Sequence, residues 1–369
     1  MTLVQDFYKR MMDMKKAFIV LEDGHVFEGK RFGADGDTLG EFVFTTGMVG
    51  YIETLTDPCY CGQIVVQTFP LLGNYGMIYE DTEGKKSYVK GVVVREWCEA
   101  PSNFRCDGDI DEYLKKEGIV GICDVDTREI TQIIREKGVM NAKIVDEITD
   151  EIKAELENYK VADAVKAVSS GETETYAAEG DEKYTVAVVD YGEKSGIVKQ
   201  LTKRGCKVVS VPFDTSADDI LALGADGVVL SDGPGNPADN TYSVEQVKAL
   251  MGKQPMFGIS LGHQIMALAN GGATEKHKYG HRGANQPVKN LEVGQTYITS
   301  QNHGYVVVSD SLNGVGNVAF VNANDGTCEG VKYPDKKAFS VQFHPAAGSG
   351  PMDTEFLYDE FVAMMGGKN

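Results

Sequence analysis

The apolar runs in the first half of the chain are short and separated by turn residues. AFIVLEDG from Ala17, HVFEG from His25, EFVFTT from Glu41, QIVVQTF from Gln63 and VKGVVVRE from Val89 concentrate β-branched and aromatic residues between Gly, Asp and Pro. That pattern predicts strands joined by tight turns. Two stretches change period. Asp109–Glu117 (DIDEYLKKE) and Thr127–Lys137 (TREITQIIREK) predict helices, the second capped by Thr127 and closed by Gly138. Residues 17–145 therefore read as a compact α+β domain. Residues 1–16 (MTLVQDFYKRMMDMKK) are Met- and charge-rich. They are read as an extension outside the fold, with Met14 as an alternative start.

Residues 146–183 are highly charged and end in SSGETETYAAEGDEK, a linker composition with few large apolar side chains. Beyond it, over 184–367, the rhythm becomes strand, helix, strand. TVAVVD from Thr185, KVVSV from Lys207, GVVL from Gly227 and MFGI from Met256 are continuous apolar runs, with helical segments at Gly196–Lys203 and Tyr242–Met251. Strands apolar on both faces belong to parallel sheets covered by helices, so this half is expected to be a doubly wound α/β domain with ligands at the carboxyl ends of its strands.

Composition narrows the class. A chain of 369 residues is long enough for two or three domains. The 36 Lys and Arg against 55 Asp and Glu give a net charge of −19, spread rather than blocked, which argues against a binder of duplex nucleic acid or anionic membrane. No run approaches the roughly 18 apolar residues of a membrane helix. Seven cysteines (59, 61, 98, 106, 123, 206 and 328) lack the paired spacing of a zinc site and read as reduced structural thiols of a cytoplasmic protein. No metal site and no Walker-type phosphate loop is expected.

Four strings could carry chemistry. In Gly258-Ile259-Ser260-Leu261-Gly262 an apolar strand runs into Gly-x-Ser-x-Gly and then a helical segment. Glycines on either side permit a sharp turn that projects the central side chain beside helix N–H groups. Those five residues fit a serine-hydrolase elbow and an inert glycine-rich turn equally well. Ser231-Asp232-Gly233-Pro234-Gly235-Asn236-Pro237 follows GVVL as a rigid loop whose N–H groups can face a ligand, or as an ordinary turn. Val341-Gln342-Phe343-His344-Pro345 places a histidine at a strand end, and Thr299–Tyr305 (TSQNHGY) is a polar cluster read as a loop.

Taken in order, GPGNPAD, GISLGHQ, SQNHGY and FHP resemble class I (triad-type) glutamine amidotransferase domains. LEDGHVFEG, GYIETLTDPCYCGQIVVQTFPLLGNYG and DVDTREIT resemble the small subunit of carbamoyl phosphate synthetase, and the likeness runs from Ala17 to about residue 365. The resemblance implies a cysteine nucleophile at the elbow, a His-x-Glu pair that activates it, and ammonia passed to a large subunit. That partner would bind ATP and magnesium and make carbamoyl phosphate for pyrimidine and arginine biosynthesis, with no cofactor in this chain. Carried over by position, the nucleophile's place is Ser260, the base is His344 and the glutamate's place is Ala346. Glutamine would be held around Gly47, Gly233, Gly235, Leu261, Gln264, Asn302, Gly304 and Tyr305.

Departures from the pattern fall in one pocket: Ser260 for Cys, Ala346 for Glu and Gly47 for Ser. Gly192-Glu193-Lys194-Ser195-Gly196 also departs, since the family reads Gly-x-Lys-Arg/Asn-Asn. A thiol near pKa 8.5 becomes a nucleophile with modest help, whereas a hydroxyl needs an oriented base. Losing the carboxylate that orients such a base costs on the order of 10⁴ in serine triads. The expectation is a small subunit whose glutaminase is weak or absent. Its alternatives are a pseudo-glutaminase scaffold or regulatory subunit of an ammonia-using synthetase, and a serine hydrolase built on Ser260 and His344. Asp353 and Glu355 are the candidates for a replacement acid.

Overall fold

A computed structural model describes residues 14–346 and 348–367. Most of the expected N-terminal extension, residues 1–13, therefore lies outside the described residues. The chain divides into two compact units. The first holds residues through Leu55, Gly62–Asp81 and Lys86–Val161; the second holds Thr56–Cys61, Thr82–Lys85 and everything from Ala162.

In the first unit seven strands close a barrel. They are β1 (Lys16–Leu21), β2 (Val26–Gly33), β3 (Thr38–Thr45), β4 (Gln63–Gln67), β5 (Gly91–Val93), β6 (Val120–Cys123) and β7 (Met140–Val145), in the order β1-β2-β6-β5-β4-β3-β7. Closure removes the edges that seven short strands would expose. Ile19, Leu21, Phe42 and Ile64 are wholly buried in it. Helices α1 (Ile110–Glu117) and α2 (Thr127–Lys137) accompany the barrel. The cap of α2 is Asp126 rather than Thr127: the Asp126 carboxylate accepts from the N–H groups of Arg128 and Glu129. Thr127 is already the first helical residue and is buried.

The charged segment read as a linker is structured in part. It contains helices Ile152–Asn158 and Ala164–Val168 and strand β8, Glu174–Tyr176. Sparse apolar residues suffice, because Ile152 and Leu156 stand one helical turn apart and pack with Val20 and Val145 in the first unit.

The second unit is a ten-stranded sheet. After β8 come β9 (Tyr184–Asp190), β10 (Cys206–Pro212), β11 (Gly227–Leu230), β12 (Met256–Ile259), β13 (Thr274–Asn290), β14 (Thr296–Val307), β15 (Asn317–Asn322), β16 (Cys328–Tyr333) and β17 (Ala338–Val341), in the order β8-β10-β9-β11-β12-β17-β16-β14-β13-β15. The strands β10, β9, β11, β12 and β17 are parallel. Successive residues of β9 face opposite sides. Ala187 and Val189 join one core with Val247 and Leu250 of α4 (Thr241–Leu250) and Ile265 and Met266 of α5 (Leu261–Ala269). Val186 and Val188 join the other, with Ile197 and Leu201 of α3 (Ser195–Lys203) and Leu357 and Phe361 of α6 (Phe356–Met365). Helices on both faces are the reason these strands read as continuous apolar runs. The antiparallel extension was not evident in the sequence. TSQNHGY, read as a loop, lies inside β14, where its polar side chains are paired and buried rather than solvated.

Candidate active site

Strand order reverses between β9 and β11, since β10 flanks one side of β9 and the chain continues on the other. Such a switch point opens a crevice at the carboxyl ends of the strands. The loop after β9 carries Lys194, and the loop after β11 carries Asp232 and Gly233. They are stitched together: Tyr191 N–H donates to Ser231 Oγ at 2.9 Å, and Ser231 Oγ donates to the Asp232 carbonyl at 2.8 Å. Gly233 permits this approach, because a Cβ there would lie 2.4 Å from the Tyr191 carbonyl oxygen.

Next along the edge is the elbow. Ser260 sits between β12 and α5 at φ 50, ψ −103, a conformation that costs a non-glycine residue free energy. Its N–H donates to the Val341 carbonyl at 2.8 Å, which ties the turn to neighbouring β17. The flanking glycines are steric requirements: a Cβ on Gly258 would meet Met266 Sδ at 2.5 Å, and one on Gly262 would meet the Leu230 carbonyl oxygen at 2.4 Å. The hydroxyl-bearing residue is therefore held in the strained geometry that presents a nucleophile, and it is buried.

His344 follows β17 and is buried, so the adjacency of β12 and β17 brings the expected nucleophile and base positions to one sheet edge. The other glutamine-site candidates divide. Gln264 Nε2 donates to the Tyr305 carbonyl at 2.7 Å and to Gln342 Oε1 at 2.8 Å, which joins α5 to β14. Asn302 Nδ2 donates to Asp57 Oδ2 at 2.9 Å. Gly235 has φ +91, and Gly304 lies within β14. Gly47 belongs to the first unit, where its N–H faces Thr45 Oγ1 at 3.4 Å. Ala346 is half-buried, and its carbonyl lies over α3: a Cβ on Gly196 would be 2.3 Å from the Ala346 oxygen.

Four residues that the strings did not single out complete the site. Lys194 Nζ is 2.9 Å from Asp57 Oδ2 and 3.6 Å from Asp232 Oδ2, with all three side chains buried. His344 Nδ1 is 3.0 Å from Asp232 Oδ2. Glu83 Oε1 accepts from Gly348 N–H at 2.7 Å, and the Glu83 carbonyl accepts from Ser195 N–H at 2.9 Å. Burial alone would push Lys194 down, but Asp57, Cys59, Asp232 and Glu83 around it hold the ammonium well above its usual value. Burial alone would raise Asp57, yet Lys194 and His344, with the donors of Asn302 and Lys194, hold it below the usual carboxylate value. Burial raises Glu83, offset in part by Lys194. Asp57, Asp232 and Lys194 stood inside quoted strings, where their charge was the available signal, whereas Glu83 lay outside every string.

The suggested replacement acids are elsewhere. Glu355 Oε1 accepts from Gln200 Nε2 at 2.6 Å, and Asp353 is exposed. The carboxylate beside His344 is Asp232. Cys59, Asp232 and His344 bring ligand-type atoms within 4.8 Å of one another, which the cysteine spacing did not suggest. Lys194 already sets a cation against Asp232, and burial followed by Asp57 raises the Cys59 thiol well above its usual value. This group is therefore an ion-pair network, ill suited to a metal ion.

Two family models match the chain: the carbamoyl-phosphate synthase small chain, CPSase domain, over residues 19–144, and glutamine amidotransferase class-I over residues 187–364. The chain belongs to the carbamoyl phosphate synthase small-chain family. It is 48% identical over 359 residues to the carbamoyl phosphate synthase small chain of Listeria monocytogenes serotype 4b, covering 96% of this chain and 98% of the relative. It is 47% identical to that of Oceanobacillus iheyensis (95% and 96% covered) and 46% identical to that of Clostridium perfringens (94% and 99%). Membership of this carbamoyl phosphate synthase family identifies the barrel unit as the small-chain domain and the ten-stranded unit as the amidotransferase domain. Among the described residues no helix is long and apolar enough to cross a membrane.

Proposed function

We propose that this small chain pairs with a carbamoyl phosphate synthase large subunit and hydrolyses glutamine far more slowly than its family. The observation that carries this reading is the contrast at one sheet edge. The strained elbow and the buried histidine are kept, while the nucleophile is a hydroxyl and residue 346 ends in a methyl group. The hydroxyl depends on an oriented base more than a thiol does, and the usual orienting side chain is missing, so the losses compound. The engagement of Asn302 with Asp57 further favours a site poorly set to receive glutamine. The large subunit would carry ATP and magnesium, draw mainly on free ammonia in the cytoplasm, and supply carbamoyl phosphate to pyrimidine or arginine synthesis. The small chain would serve chiefly as its scaffold or regulator.

The test is reconstitution with a large subunit and comparison of ammonia- and glutamine-supported carbamoyl phosphate formation. Ammonia should support normal synthesis, and glutamine should support a rate about 10²–10⁴ lower than a thiol-bearing relative gives. Glutamine-supported turnover within tenfold of that relative, abolished by Ser260→Ala, would overturn the proposal. Stoichiometric labelling of Ser260 by a fluorophosphonate ester would overturn it in favour of a serine hydrolase.

A further inference from the structure

The loss of the carboxylate at 346 coincides with a carboxylate on the other loop of the crevice. Asp232 Oδ2 lies 3.0 Å from His344 Nδ1, with both side chains buried in the second unit. Lys194 is farther from that oxygen, at 3.6 Å, and is held more closely by Asp57 at 2.9 Å. The nearer nitrogen to Asp232 Oδ2 is therefore that of the imidazole. The approach is close but not aligned as a hydrogen bond. Asp232 Oδ1, both His344 ring nitrogens and the Tyr358 hydroxyl are buried with no hydrogen-bond partner among the described residues. These atoms belong to residues that, with Ala346, line a partly open cavity of about 10 Å³. That is about the space of one water, and it is polar enough to hold one. A small rotation of either side chain, or one bridging water, satisfies the group.

We propose that Asp232 is the positioning residue of His344 in this chain, taking over from the carboxylate absent at 346. An imidazole whose Nδ1 donates to a carboxylate is fixed in one tautomer and keeps Nε2 as the basic nitrogen. The inference rests on the reading above only in treating His344 as the base for residue 260. Ala346→Glu would bring a second carboxylate to a buried imidazole that already has one, into room for a single water. Restoring the family residue should therefore fail unless Asp232 is neutralised.

The test uses the full chain carrying Ser260→Cys and measures the rate of alkylation by iodoacetamide from pH 5 to 10. It reads thiolate formation without glutamine turnover, so its outcome is independent of whether the chain hydrolyses glutamine. Adding Asp232→Asn should raise the midpoint by about one unit and slow alkylation at pH 7 about tenfold. Adding Ala346→Glu should give no gain beside Asp232, and at least a tenfold gain beside Asp232→Asn. A pH profile unchanged by Asp232→Asn would overturn the proposal. Should Asp232→Asn not fold, Ala346→Glu in the Ser260→Cys chain decides alone: a tenfold gain there overturns the proposal, and no gain supports it.

Discussion

Lys194→Met removes the single ammonium from a buried cluster of three carboxylates. The side chain is 2.9 Å from Asp57 and 3.6 Å from Asp232, each almost fully buried. Breaking a buried pair by deleting one partner costs about 3–5 kcal/mol, because the other charge is left uncompensated. Asp57 keeps the Asn302 amide at 2.9 Å and Asp232 keeps His344 at 3.0 Å. Those contacts argue for the lower end, about 3 kcal/mol. The pH dependence follows from the depressed Asp57. A carboxylate whose folded pKa lies below its unfolded value contributes stability above that unfolded value and loses it as pH falls through the folded one. Without Lys194 that contribution is gone, so the gap between the two proteins should hold from pH 7 down to the unfolded carboxylate value of about 3.9 and close only below it. The sole tryptophan, Trp97, lies in the first unit, so its fluorescence follows the wrong body. Hydrogen exchange of β9, β11 and α3 under urea reads the second unit directly. A loss below about 1 kcal/mol at pH 7, or a gap that already closes between pH 7 and about 5, would refute the assignment of Lys194 as the counter-ion of a buried cluster.

Glu193, beside that lysine, accepts from Ser210 Oγ at 2.7 Å, and burial raises it to about 8 despite that donor. A raised carboxylate weakens the fold as pH climbs from its unfolded value through its folded one, so Glu193→Gln should flatten the fall in Tm between pH 5 and 9 and raise Tm at pH 9. His281 is the opposite case. Burial would lower it, but Asp325 at 2.8 Å and Glu329 at 3.5 Å raise it to about 9. Its contribution is complete below the unfolded histidine value and lost as pH rises through about 9, so His281→Gln should cost about 2 kcal/mol at pH 6 and little at pH 10 in urea titrations. Gly262→Ala places a methyl 2.4 Å from the Leu230 carbonyl and should lose the elbow, seen as a Tm drop and faster exchange at residues 258–264. Gly252→Ala meets nothing within 4 Å and should cost only about 1 kcal/mol from its positive φ.

The parallel half of the second unit was legible because burial on both faces writes itself as uninterrupted Val, Ile and Phe, as in β9 and β11. The elbow was legible because its two glycines answer steric contacts that no other residue tolerates. The antiparallel half was not, since Ser300, Gln301, Asn302 and His303 are buried polar residues, and a buried polar strand has no apolar signature. Gln301 Nε2 donates to Glu329 Oε2 at 3.0 Å and His303 Nε2 pairs with Gln301 Oε1 at 2.8 Å, a satisfaction that only the folded sheet supplies. Nor could the order of residues reveal that Thr56–Cys61 and Thr82–Lys85 leave the barrel to join the second unit. Asp57 reaches Lys194 across 137 positions of sequence, beyond any local pattern.

Residues 196 and 346 meet in space. A Cβ on Gly196 would stand 2.3 Å from the Ala346 carbonyl oxygen and 3.2 Å from its methyl, so the loop after His344 rests where a longer residue at 196 would push it away. A longer residue at 196 therefore requires the loop at 346 to move. Asparagine at 196 collides with the loop, and glutamate at 346 finds a cavity of about 10 Å³ beside Asp232. The backbone settled over Gly196 and the carboxylate 3.0 Å from His344 on the opposite loop therefore couple positions 196, 346 and 232 in space.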